Sequence, residues 1–258
     1  MTALLRSELR KCWSRRAVHL FGLLALAGIA LAAVLVFFNS AKPGNRFDVV
    51  DINNVFQGVS APLTILGIAL AASFTGAEWS AGTMTTLLTW EPRRGRVYAA
   101  KLIAAAIFTF ISAIVLQIVL GLALLPSGLA HGSTAGVDAH WFGTAAASAS
   151  RGALVAVLGA AMGLAIASLA RNTTAAILVA LLYLFVLENL IQALKPQWSG
   201  WLFSQNAGIF IVGPKAANNP GNGVIVGHSS LEALLVLCTY AAVVSVVALV
   251  LFLRRDVS

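Results

Sequence analysis

Residues Gly76 to Lys101 read GAEWSAGTMTTLLTWEPRRGRVYAAK, between two long apolar runs, and they decide what kind of chain this is. An apolar run ends at Gly76. Glu78 follows, then the small residues Ser80, Gly82 and Thr83, which start a short helix that ends near Trp90. Pro92 stops that helix because it has no amide N–H and disfavours helical backbone before it. Arg93, Arg94 and Arg96 come next, with Lys101 at the foot of the following apolar run, so this connection carries the densest positive charge in the chain. By the positive-inside rule it faces the cytoplasm.

Composition extends this reading to the whole chain. Of 258 residues, 59% are hydrophobic and only 10% charged, a balance that leaves too little polar surface for a soluble domain. Six apolar windows are long enough to cross about 30 Å of hydrocarbon. They fall near 18–38, 57–76, 99–124, 150–170, 173–194 and 231–253. The sequence therefore predicts an all-α polytopic membrane protein, a single transmembrane domain over 1–258 with six spans and both termini cytoplasmic, in the cell membrane. Twelve of the 17 Lys and Arg residues fall on the side of the 76–101 loop. The net charge of +8 thus reads as membrane orientation rather than as a nucleic-acid surface. The first run is too long for a signal-peptide core and reads as a retained span. Cys12 and Cys238 sit at different depths, so no disulfide is expected.

The order Glu78, Gly82-Thr83, Leu87-Leu88, Pro92, Arg93, Arg94 and Lys101 resembles the membrane subunits of type-2 ABC exporters, as do the basic amphipathic N-terminus and the ending FLRRDV, Phe252 to Val257. The resemblance implies that residues 78–92 form a cytoplasmic coupling helix docking on a separate ATPase, with Glu78, Gly82, Thr83, Leu87, Leu88, Trp90, Pro92, Arg93 and Arg94 as its contact set. It also implies that two ATPase copies pair with two permease chains, either a homodimer or this chain with a similar one. ATP and Mg would be held by the ATPase, with no cofactor in this chain.

In residues 1–17, Leu5, Leu9, Cys12 and Trp13 share one helical face. That is an interfacial pattern against membrane lipid, either a basic flank that orients the first span or, by the resemblance, a connecting helix that helps contact the ATPase. The loops at 39–56, 125–149 and 195–230 are assigned outside. The last holds Trp198, Trp201, Phe203, Phe210 and Ile211, which suit either an aromatic belt or, by the resemblance, short re-entrant helices. Gly159 and Gly163 form a GxxxG for close packing. Arg151 and Glu188 lie about 30 and 25 Å above the inner end by helical rise. They are a possible intramembrane charge pair.

Other chemistries find little support. No GxxxxGK[ST] loop occurs, so ATP chemistry belongs to a partner. His131, Asp138, His140 and His228 lack metal-ligand spacing, and no metal site is expected. No GxSxG elbow occurs either. The sequence reads as a non-enzymatic permease subunit of an ATP-driven exporter. An ion-coupled secondary transporter is the alternative, for which Glu188 is the only well-placed acid.

Overall fold

A computed structural model describes residues 2–91, 93–213 and 227–254. Its helices are α1 (Thr2–Ser14), α2 (Arg16–Ser40), α3 (Ile52–Gly58), α4 (Ser60–Ser80), α5 (Thr83–Trp90), α6 (Arg94–His131), α7 (Ala139–Ala170), α8 (Thr173–Leu182), α9 (Glu188–Leu194), α10 (Phe203–Val212) and α11 (Ser230–Arg254). A π-turn, Tyr183–Leu187, joins α8 to α9. Short 3-10 turns occupy Val49–Asp51 and Pro196–Trp201. Every regular element among the described residues is helical, and six helical segments are long and apolar enough to cross a membrane: α2, α4, α6, α7, the continuous α8–α9 segment and α11.

The six do not share the core equally. In their most apolar windows, 72% of α4 and 61% of α7 is buried, against none of α2. The bundle is therefore built around the α4–α7 pair, and the small residues explain why. A Cβ added to Gly67 of α4 would lie 2.6 Å from the Ala156 carbonyl oxygen of α7, and one on Gly159 would lie 2.7 Å from Thr64 Cγ2. Gly163 faces the Ile68 backbone, where an added Cβ would come within 2.9 Å of Cα. The GxxxG is thus a seat for α4 within one chain, where close backbone approach replaces the missing hydrophobic drive between apolar helices.

Two expected boundaries move. The third and fourth spans, read as 99–124 and 150–170, are helices of 38 and 32 residues, so most of the expected 125–149 loop is helical and only 132–138 connects them. At about 1.5 Å per residue, α6 runs to about 57 Å, well beyond a hydrocarbon core of about 30 Å. Its extension survives Pro126 and packs on the 39–56 segment, which is itself partly helical. An added Cβ on Gly128 would meet the Val49 backbone N at 3.2 Å. Ser133 donates its N–H to Asp48 Oδ1 at 2.7 Å, and Trp141 Nε1 donates to the Val50 carbonyl at 3.3 Å. Asp138 caps α7 by accepting from Trp141 N–H at 2.7 Å. Polar residues that read as loop are here the capped ends of helices standing clear of the apolar zone.

Gly163→Ala should destabilise the detergent-solubilised protein by about 1–3 kcal/mol, an overpacking cost. The readout is a lowered thermal midpoint. Gly22→Ala, whose Cβ meets nothing within 4 Å, should not lower it. Equal midpoints for the two variants would show that the α4–α7 seat has slack.

Candidate functional site

At one end of the bundle α1, α5, the start of α6 and the end of α11 meet. Their shared core joins Cys12, Leu70, Phe74, Met84, Tyr98, Leu164 and Phe252. Into that core the chain places three buried charges. Lys101 of α6, 6% exposed, donates to Glu8 Oε2 at 2.8 Å and also to Glu78 Oε2. Arg15, at the α1–α2 joint, binds Glu78 Oε1 at 2.9 Å and the Ser73 carbonyl at 2.8 Å, with its guanidinium 5.7 Å from the Phe74 ring. Lys11 completes the cluster, 2.7 Å from Glu8 Oε1 and 3.7 Å from Glu78 Oε1.

The cluster corrects the expected role of Glu78. Its carboxylate is spent on Lys101, Arg15 and Lys11 inside the chain and is not presented outward as a contact for a partner. Sequence reasoning also missed Glu8. Its signal was available, because Leu5, Glu8 and Cys12 follow a helical i, i+3, i+7 spacing, and a lone acid on an apolar stripe needs a partner. Burial pushes the Glu8 carboxyl up, but the nearby Lys101 and the hydrogen bonds from Lys101 and Lys11 outweigh it, so its pKa is lowered. Lys11 is raised, because Glu8 and Glu78 outweigh its burial. The Cys12 thiol is pushed up to about 11, first by burial and then by Glu8.

Beside the cluster stands α5. Gly82 precedes it with φ 67°, a left-handed conformation that suits glycine, and Thr83 Oγ1 donates to the Glu78 carbonyl at 3.3 Å. Met84 is buried in the common core, Leu87 is half-buried against it, and Trp90 is 86% exposed. Thr83, Thr86, Thr89 and Arg93 are also exposed. The Leu88 side chain and Pro92 lie outside the described residues. Arg94 binds the Phe252 and Leu253 carbonyls of α11, each at 3.4 Å, where a cation also suits the helix C-terminus. Arg171 lies 4.6 Å over the Trp79 ring, and Trp79 meets Phe252 edge-on at 6.2 Å. On α1, Leu5 and Leu9 are half-buried, and Trp13 is exposed on one side while its edge packs on Phe108 at 6.3 Å.

The opposite end overturns the Arg151–Glu188 pair. Glu188, 2% exposed, accepts the backbone N–H of Phe203 at 2.8 Å and of Ser204 at 3.0 Å, the first donors of α10. Arg151 instead lies 6.0 Å over the Phe210 ring. The physical reason is that α10 turns back into the bundle, bringing unpaired helix N–H groups to the carboxylate. Phe203, Phe210 and Ile211 are buried with it against α7 and α11, while Trp198 and Trp201 stay exposed. The expected aromatic loop thus divides into a short buried helix, α10, and an exposed pair. Its remainder, 214–226, lies outside the described residues.

A family model described as a protein of unknown function (DUF2705) matches residues 20–258. Among curated proteins, none matches the chain.

Lys101→Met should leave Glu8 to the half-exposed Lys11 alone and Glu78 to Arg15 and Lys11, and should cost less than the about 3–5 kcal/mol of a fully broken buried pair. Adding Glu8→Gln should recover part of it, because Glu78 stays to pair Arg15. Because the Glu8 pKa is lowered on folding, its contribution is present above the unfolded carboxylate pKa and lost as pH falls through the folded value. The double variant should lack that acid-side loss in a pH-stability profile. At the other end, Glu188→Ala should speed hydrogen exchange at the Phe203 and Ser204 amides by about tenfold or more, given about 1.5–3 kcal/mol for charged hydrogen bonds. Exchanging the Arg151 and Glu188 charges should fare no better than either single reversal. A rescue by the exchange would restore the pair.

Proposed function

The chain belongs to the DUF2705 family, and we propose that it is the membrane permease subunit of an ATP-driven exporter, with α5 as its contact to a separate ATPase. In this reading the end that holds α1, α5 and the end of α11 faces the cytoplasm of a cell-membrane protein. Two such permease chains assemble with two ATPase chains, which bind ATP and Mg. The observation that carries the reading is α5 itself. It is an eight-residue helix between two long apolar helices, anchored by Met84 and leaving Trp90 almost fully exposed beside Arg93. An exposed Trp on a rigid mount is the kind of residue that dominates protein interfaces.

Mechanically, a push on α5 reaches three elements through short, strong contacts. Glu78, five residues before α5, is tied to α6 by Lys101 and to the α1–α2 joint by Arg15. Displacement of α5 therefore moves α1, α4 and α6 together. The transported solute crosses between protomers, outward, as this body tilts. The alternative of an ion-coupled carrier rests on Glu188, whose carboxylate is already committed to the α10 backbone. Transport that follows ATP rather than an ion gradient separates the two.

Trp90→Ala should leave the permease inserted but reduce ATPase co-purification or permease-stimulated hydrolysis by tenfold or more, about 1.4 kcal/mol. Trp13→Ala, at the exposed face of α1, should have a smaller effect. Undiminished ATPase association in Trp90→Ala would mean that Trp90 is an interfacial anchor to lipid, and the exporter reading would lose its support.

A further inference from the structure

The outward face of α1 carries positive charge with no acid to balance it. Thr2, Arg6, Arg10 and Trp13 follow one another at helical spacing, and all four are exposed. An open depression on this face is lined by Thr2, Arg6, Ser7 and Arg10. Arg6 and Arg10 stand one turn apart, a spacing at which like charges repel. Neither makes an ion pair among the described residues. The one acid of α1, Glu8, is turned to the other side of the helix and held by Lys101 and Lys11, and Glu78 is buried in the same cluster. The fold thus takes the acids inward and leaves two guanidiniums outward, each a fork suited to phosphate oxygens.

What lies against that face follows from its height along α6. Glu8 meets Lys101 at the foot of the apolar run, whereas Trp13 packs edge-on against Phe108, a step of about 10 Å farther along the helix. From Arg6 to Trp13, α1 therefore climbs from the foot of that run into its apolar zone. A soluble protein following the stripe to Trp13 would run into the hydrocarbon that the exposed Leu20, Leu23 and Leu24 of α2 require. A phospholipid has the matching order, with its headgroup level with the arginines and its acyl carbons level with the indole.

We propose that the Arg6 and Arg10 face of α1 binds the headgroup of an anionic phospholipid in the leaflet at this end of the bundle, with Trp13 beside the acyl chains. The proposal rests on the six apolar helices lying in a bilayer, not on the exporter reading. It reverses the expected use of α1, since Cys12 of the apolar stripe is in the core and the charged face meets the membrane.

The purified full chain is titrated in neutral detergent with dioleoyl phosphatidylglycerol or dioleoyl phosphatidylcholine, and bound lipid is counted by native mass spectrometry. Phosphatidylglycerol should bind about tenfold more tightly or better, given the attraction of arginines to anionic headgroups. Arg6→Gln with Arg10→Gln should bring it to within about twofold of phosphatidylcholine. Arg96→Gln with Arg254→Gln removes the same charge from exposed positions at the same end and should keep the full preference. Should the first double variant fail to insert, each of its single replacements should lower the preference by about threefold. An undiminished preference in Arg6→Gln with Arg10→Gln, or no preference in the wild type, would make the stripe an ordinary solvated face and overturn the proposal. An equal loss in the Arg96 and Arg254 variant would reduce the preference to net charge and also overturn it. Unchanged lipid binding with lost ATPase co-purification in the Arg6 and Arg10 variant would assign the stripe to the ATPase instead. Release of the chain from membranes by alkaline carbonate would overturn the bilayer placement, whereas retention without a phosphatidylglycerol preference would overturn this proposal alone.

Discussion

Lys101 sits in the third of six apolar helices, and its ammonium reaches two carboxylates from elements far apart in the chain, Glu8 and Glu78. An ammonium so deeply buried is costly without acid partners, and Glu8 and Glu78 supply them from two separate parts of the chain. The first consequence is for α1. A basic amphipathic helix at a chain end would ordinarily lie loosely along an interface, but Glu8 pins this one to α6. The second is for the α1–α2 joint, where Arg15 has no freedom left after Glu78, the Ser73 carbonyl and the Phe74 ring. Three cations face two acids, and the Ser73 carbonyl helps to satisfy the excess. Replacing the whole cluster with apolar residues would cost little stability, as buried ion pairs generally show. What the charges contribute is a single permitted register between α1, α4 and α6, since apolar side chains alone could slide.

The same division between fixed and loose packing governs the transverse direction. Glycines at Gly67, Gly159 and Gly163 let α4 and α7 approach until backbone meets side chain, and dispersion across that contact is lost with a fraction of an ångström of separation. By contrast α2 carries Gly22 and Gly28 with nothing near them, so those small residues open space rather than close it. One residue type thus does opposite work on two helices. The rigid α4–α7 pair gives α5 a firm base, because α4 ends where α5 begins.

That contrast explains what the sequence made legible. Six apolar stretches, the charge-dense 76–101 connection and the GxxxG of Gly159 and Gly163 are all periodic or compositional signals, and the six apolar helices and a short helix at Thr83–Trp90 appear where those signals lie. Boundaries failed where helices run on past the apolar windows, since residues 139–149, rich in Ala, Gly and Ser, read as loop and are held helical by the Asp138 cap and by packing on Val50. Partners of the buried acids failed for a different reason. Glu78 and Lys101 are close in sequence and both were singled out, but their pairing needs α5 to fold back, and Glu8 is 93 residues from Lys101. Arg151 and Glu188 share a depth, and depth was the only coordinate the sequence supplied. Azimuth around the helix axis, and the return of α10, were not in it.

The azimuth of Glu188 has a physical origin in the π-turn that precedes it. A turn closed from i to i+5 takes one residue more than an α-helical turn, and one residue corresponds to about 100° of rotation about the axis. Val186 and Leu187 remain exposed while Glu188, directly after them, is 2% exposed. The inserted residue therefore sets which side of the fifth apolar segment carries the acid, and it delivers the carboxylate to the N-terminus of α10. With that carboxylate bound, α10 is further held by Tyr240, whose hydroxyl donates to the Trp201 carbonyl at 2.8 Å, and by Asn206, which donates to the Gly200 and Leu202 carbonyls at 2.8 and 2.7 Å. Each end of the bundle is thus organised by a buried acid, but the partners differ. Glu78 meets side-chain cations, whereas Glu188 meets the backbone N–H groups that open α10. A side-chain donor can be re-aimed by a change of rotamer, but these backbone donors can be re-aimed only by moving α10 itself, so Glu188 fixes where that helix starts.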